Sequence, residues 1–108
     1  MKKFWAFIHG RNFLIRDADH LEPHIRGFYT TVYVEAADFP EAEIASVEVL
    51  RKDEQLRATT CNGLHDPPIL DVEEIQELGS FDNMRLPREP FVFYEDSDGL
   101  SAGSTPAS

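Results

Sequence analysis

The hydrophobic positions of the chain change their period from two to 3.6 where the sequence passes Asp38. Residues 28–36 alternate between two faces, as in a strand that buries one side against a core. Asp38 then suits a helix N-cap, Pro40 suits the first turn, and Glu41 completes a capping box. The pattern therefore predicts a strand followed by a helix over residues 39–56.

The remaining apolar runs predict further strands. Residues 3–8 and 13–16 are separated by a four-residue link containing Gly10, which predicts a β-hairpin. Both faces of the first run are apolar, so we expect a strand inside the sheet, either covered on both faces or with one face in a dimer contact. Residues 69–78 favour a strand with a bulge at its Glu-Glu pair, with a short helix as the alternative, and residues 90–94 predict an edge strand.

These elements predict an α+β fold. The expected architecture is a two-layer sandwich of order β-β-β-α-β-β, with a mostly antiparallel sheet of four to five strands and one main helix on one face. Residues 1–95 are predicted to form a single domain, and residues 96–108, rich in Ser, Gly and Ala, a disordered tail. The strand–cap–helix pattern resembles that of many small bacterial α+β domains, including ferredoxin-like ones, and this resemblance implies a fold only.

The charge distribution argues against several classes of partner. The net charge is −10, and it divides into +2 for residues 1–34 and −12 for residues 35–108, so nucleic-acid binding is not expected. No apolar run approaches the roughly 20 residues of a membrane span. The single cysteine, Cys61, cannot form an intramolecular disulfide, and a cytoplasmic protein is the default expectation.

A short polar segment before the third predicted strand is rich in metal-ligand side chains. Asp19, His20, Glu22 and His24 offer two imidazoles and two carboxylates, the donors that zinc and other first-row ions accept. Pro23 lies between the histidines, so the helical geometry that would aim both rings at one ion is not expected. A solvated polar loop is the competing interpretation.

Two groups of residues are candidates for an interface. Tyr29, Thr31 and Tyr33 share one face of a predicted strand, and one long helix cannot cover both faces of a sheet of four or five strands. A partner subunit is the expected cover for the second face. Ile44 and Val47 fall outside the apolar stripe of the helix and are predicted to be exposed.

The predicted function is a non-catalytic interaction or regulatory module that self-associates as a homodimer or binds a protein partner. No catalytic residue or cofactor is predicted, because the carboxylate runs fall on solvent-exposed faces. The alternative is a small enzyme or ligand binder of the dimeric α+β barrel type, with a pocket between sheet and helix that draws on His9, Tyr29, Tyr33 or His65. Metal binding in the polar loop is a third possibility.

Overall fold

The computed structural model describes residues 1–16 and 24–95. In chain order the elements are β1 (Lys2–Ile15), β2 (His24–Ala36), α1 (Phe39–Arg51), α2 (Glu54–Thr59), β3 (Ile69–Leu78) and β4 (Val92–Glu95). The strands form one antiparallel sheet in the order β3-β1-β2-β4. The predicted α+β class, with an antiparallel sheet and one main helix, is confirmed. The predicted tail at 96–108 lies outside the described residues.

The predicted hairpin at the start of the chain is wrong, because β1 continues through the expected turn. Asn12 adopts a left-handed φ of 59°, and the β1–β2 register shifts between Gly10 and Phe13. The four-residue link is thus a bulge within one long strand. β1 lies between β2 and β3, so its predicted place inside the sheet is confirmed, although the helices cover only one of its faces.

The strand-to-helix junction has the predicted cap. The Asp38 carboxylate accepts a hydrogen bond from the Glu41 backbone N–H at 3.0 Å, and Pro40 occupies the first turn. The single helix predicted over residues 39–56 is instead two helices, because Asp53 caps a new start. Its carboxylate accepts from the backbone N–H of Leu56 at 3.1 Å.

The core lies between α1 and the sheet face it covers. Alternation along β1 and β2 sends every second side chain into this layer. The buried apolar residues are Phe4, Ala6, Ile8, Phe13, Ile15, Phe28, Val32, Val34, Ala36, Ala42, Leu50 and Leu56. Of the helices in residues 1–16 and 24–95, neither has the length and apolar character that crossing a bilayer demands.

The predicted strand at residues 69–78 is confirmed, together with its bulge. Phe7 pairs with Glu74 and the next β1 residue, Ile8, pairs with Val72, which leaves Glu73 without a partner across the ladder. The bulge displaces the side-chain alternation of β3 by one residue. The position of Glu73 matters for the site described next.

Candidate functional site

The sheet face turned away from α1 carries a continuous group of aromatic side chains. We call it the aromatic face and define it by Trp5, Phe7 and His9 of β1 with Tyr29, Thr31 and Tyr33 of β2. The antiparallel register places each β1 residue of this group directly opposite one β2 residue. In the described part of the chain, no helix packs on this face, so its central side chains remain accessible.

A stack of rings runs along the middle of the aromatic face. The Tyr29 ring lies nearly parallel to Phe7, with centroids 5.5 Å apart, and to His9, at 4.4 Å. Tyr29 is nevertheless 36% exposed. Stacking already restricts the rotation of these rings, so little additional side-chain entropy is lost when a partner packs on them. The surface therefore offers accessible apolar area in a fixed orientation.

Beside the stack is a depression of about 420 Å³. It is lined by Trp5, Phe7, Thr31, Tyr33, Glu74, Leu78 and Met84. The segment after β3 forms one border, where the Phe81 ring meets Tyr33 edge-on with centroids 6.1 Å apart. The centre of the aromatic face is therefore apolar and concave, and Glu74 contributes a charged rim.

Tyr33 is tied to the segment that precedes β4. Its hydroxyl donates a hydrogen bond to the Glu89 carboxylate at 2.6 Å. Burial raises the pKa of Tyr33 to about 12, and the hydrogen bond and negative charge of Glu89 act in the same direction. This phenol is a neutral hydrogen-bond donor at physiological pH and is poorly suited to act as a base.

Tyr94 reaches the aromatic face from the edge strand β4 by crossing over Gly27. These two residues pair across the β2–β4 ladder, and a Cβ at position 27 would collide with the Tyr94 ring. The missing side chain lets the ring lie flat across β2, so that the Tyr94 hydroxyl hydrogen-bonds His9 Nε2. A residue from the sheet edge thereby fixes a histidine on a central strand.

Two carboxylates of β3 lie on the opposite side of His9. Asp71 is directly across the ladder from His9, and the bulge residue Glu73 places a carboxylate oxygen 3.8 Å from His9 Nδ1. One potential ligand atom from each of the three residues lies within 4.8 Å of the others. Arg11 contacts Asp71 Oδ2 through Nε at 3.0 Å and Nη2 at 2.8 Å.

The predicted interface residues lie on two separate surfaces. Tyr29, Thr31 and Tyr33 come together on the aromatic face. Ile44 and Val47 lie on α1, on the other side of the sheet. The predicted exposure is found for Ile44, at 67%, but is wrong for Val47, which is half-buried. The interface role of both groups stays a prediction.

Of the predicted loop metal ligands, Asp19, His20 and Glu22 lie outside the described residues. His24 belongs to β2, where its Nδ1 is 3.4 Å from a Glu95 carboxylate oxygen. Metal binding by this loop remains a prediction.

The four residues suggested for a pocket between sheet and helix lie elsewhere. His9, Tyr29 and Tyr33 are on the aromatic face, and His65 is exposed in the segment before β3. A groove of about 390 Å³ does exist on the helix side. It is lined by Phe13, Leu50, Arg51, Leu56, Arg57, Thr60, Pro67, Pro68 and Leu70.

Sequence reasoning missed the contributions of Tyr94 and Glu73 to this site. The Tyr94 contact depends on the β2–β4 register. Gly27 is a sequence feature that is compatible with this contact, because its missing side chain leaves room for the Tyr94 ring. The Glu73 contact depends on the β1–β3 register, which places Asp71 opposite His9 and Glu73 diagonally across from it.

No family model, curated protein or solved structure matches this chain.

Proposed function

We propose that this protein is a small cytoplasmic interaction protein that self-associates by packing the aromatic faces of two copies against each other. The observation that carries the proposal is the accessible stack on the central strands, in which Tyr29 is 36% exposed. Contiguous apolar area of this kind marks interaction surfaces. The cytoplasmic placement rests on the single cysteine.

The composition of the face favours a second copy as the occupant. Its apolar centre lies on the two central strands, and polar side chains such as Glu74 and Gln76 on β3 surround it, which is the anatomy of protein interfaces. A twofold axis through that centre places aromatic rings on aromatic rings, and two sheets can stack face to face at about 10 Å. Because each copy carries a net charge of −10, we expect a reversible dimer.

A charge placed in the middle of the face tests the proposal. Thr31→Lys puts an ammonium group at the centre of the aromatic face, and its long side chain can extend into solvent in a monomer. The matched control, Ile44→Lys, places the same charge on the exposed surface of α1. Sedimentation velocity over a concentration series should give a dimer for the wild type and Ile44→Lys, and a monomer for Thr31→Lys.

Circular dichroism of all three proteins checks that the fold is unchanged. A wild-type chain that stays monomeric at every concentration would contradict the proposal. A dimer disrupted by Ile44→Lys but not by Thr31→Lys would assign the interface to α1 instead.

A further inference from the structure

We propose that His9, Asp71 and Glu73 form a binding site for a divalent first-row cation, for which Zn²⁺ is the reference ion. The three side chains supply one imidazole nitrogen and two carboxylate oxygens, and water would complete the coordination. The site is built within one chain and needs no second copy. It is also separate from the polar loop that contains His20.

Two residues of β3 on the same face as His9 supply the carboxylates. Asp71 lies directly opposite His9 across the ladder, and Glu73, two residues further along β3, shares that face by alternation and is a diagonal neighbour of the imidazole. The Glu73 carboxylate lies 3.8 Å from His9 Nδ1. Glu73 is also the bulge residue, so no β1 residue is paired with it across the ladder.

The spacing of the donor atoms is compatible with one ion. Two ligands of a single zinc lie within about 4.2 Å, since each bond is about 2.1 Å long. The three donor atoms here lie within 4.8 Å of one another. The Glu73 oxygen, 3.8 Å from His9 Nδ1, is already within this limit, and the Glu73 and Asp71 side chains are 48% and 42% exposed, so small rotations of the carboxylates can close the remaining difference of about half an ångström.

The His9 ring is oriented for this role by its neighbours. Its Nε2 is hydrogen-bonded to the Tyr94 hydroxyl, and its plane is stacked on Tyr29 at 4.4 Å. With the ring proton on Nε2 and donated to Tyr94, the lone pair of Nδ1 faces the carboxylates. A hydrogen bond at the second nitrogen is the usual support for a metal-binding histidine.

The charged residues around the site orient one of its carboxylates and attract cations. Arg11 contacts Oδ2 of Asp71 through Nε and Nη2, which orients that carboxylate. Glu74, paired with Phe7 on the same face of β3, adds a further negative charge, and a field of that sign raises the local concentration of cations.

The test is a zinc titration of the full chain, followed by calorimetry and by NMR of the imidazole nitrogens. We expect the His9 resonances to shift at one equivalent of Zn²⁺, with those of His20, His24 and His65 unmoved. Glu73→Gln should weaken binding by at least about tenfold, the scale of losing one supporting group. The matched control Glu77→Gln removes the same charge from the same strand and should bind as the wild type does.

Unmoved His9 resonances, or equal affinity in Glu73→Gln and the wild type, would overturn the proposal. Shifts confined to His20 and His24 would also overturn it and would place the metal in the polar loop. Sedimentation of the same samples with and without zinc keeps this result apart from self-association, because a monomer can still bind the ion.

Discussion

At the scale of single residues, Tyr33 shows how strongly position changes a common side chain. Its hydroxyl is half-buried and donates to a carboxylate, so ionisation would remove the donated proton and place two negative charges side by side. The phenol therefore holds the segment before β4 against the sheet only while it is neutral. The contact between Tyr33 and Glu89 joins the aromatic face to the connection that borders it.

The pH dependence of this contact can be measured. Since the pKa of Tyr33 is raised to about 12 in the folded state from an ordinary value of 10.0, its contribution to stability is complete below pH 10 and is lost as the pH rises toward 12. Tyr33→Phe should lower the free energy of unfolding by about 1 kcal/mol at neutral pH.

The same variant should remove the component of tyrosinate absorbance that appears as the pH rises toward 12. An unchanged alkaline titration curve in Tyr33→Phe would show that another tyrosine is responsible for that component.

Part of the aromatic face is predictable from the alternation of side chains along a strand, whereas its contacts with distant strands are not. The common face of Tyr29, Thr31 and Tyr33 is predictable because side chains alternate along any strand. The Tyr94 contact is not, because it joins two strands far apart in sequence and depends on their register. Gly27 has a physical meaning only once that register is known.

At the scale of elements, Asp53 joins α2 to the segment that leads into β4. One carboxylate oxygen caps α2, and the other accepts from Arg88 Nε at 2.7 Å, with both side chains about 15% exposed. The Arg88 guanidinium also lies over the Phe91 ring, 3.7 Å from its centroid. This ion pair fixes α2 to the segment that leads into β4.

Replacing Asp53 by Asn separates the cap from the ion pair, because Asn caps helices about as well as Asp. We expect Asp53→Asn to lose about 2 kcal/mol in urea unfolding, between the values for exposed and fully buried pairs. Asp38→Asn is the matched control: it changes a cap in the same way but breaks no ion pair, and should stay within about 0.5 kcal/mol of the wild type. Equal losses in both variants would contradict the role given to Arg88.

The turn wrongly predicted within β1 has a long-range cause. The link containing Gly10 and Asn12 is compatible with either a turn or a bulge when only local sequence is considered. The bulge is selected by a distant residue: the Asn62 amide donates to the Asn12 carbonyl at 2.8 Å and accepts from the Leu14 N–H at 2.9 Å. Long-range hydrogen bonds of this kind are invisible to hydrophobic periodicity.

At the scale of the whole molecule, the net negative charge opposes self-association, whereas the exposed apolar surface favours it. A net charge of −10 makes two copies repel each other, whereas packing of the exposed aromatic rings would favour association. In the proposed dimer, the balance between these two effects would set the affinity and make it depend on ionic strength.

Salt should therefore tighten self-association. Raising the salt concentration screens the repulsion between two acidic copies and leaves aromatic packing largely intact, so we expect the dimer dissociation constant to fall by roughly several-fold between low and high salt. Sedimentation velocity at the two ionic strengths measures this change. A dissociation constant that rises with salt would indicate an interface held by ion pairs instead.

The acidic outer strand β3 has one more consequence, which concerns how such a sheet avoids polymerising. An edge strand of ten residues offers unpaired backbone groups to any neighbouring chain and is a template for fibril growth. Here the bulge at Glu73 interrupts the regular ladder, and Asp71, Glu74 and Glu77 surround it with negative charge. Negative charge on this edge disfavours edge-to-edge pairing of two copies, which is consistent with the proposed contact through the aromatic faces.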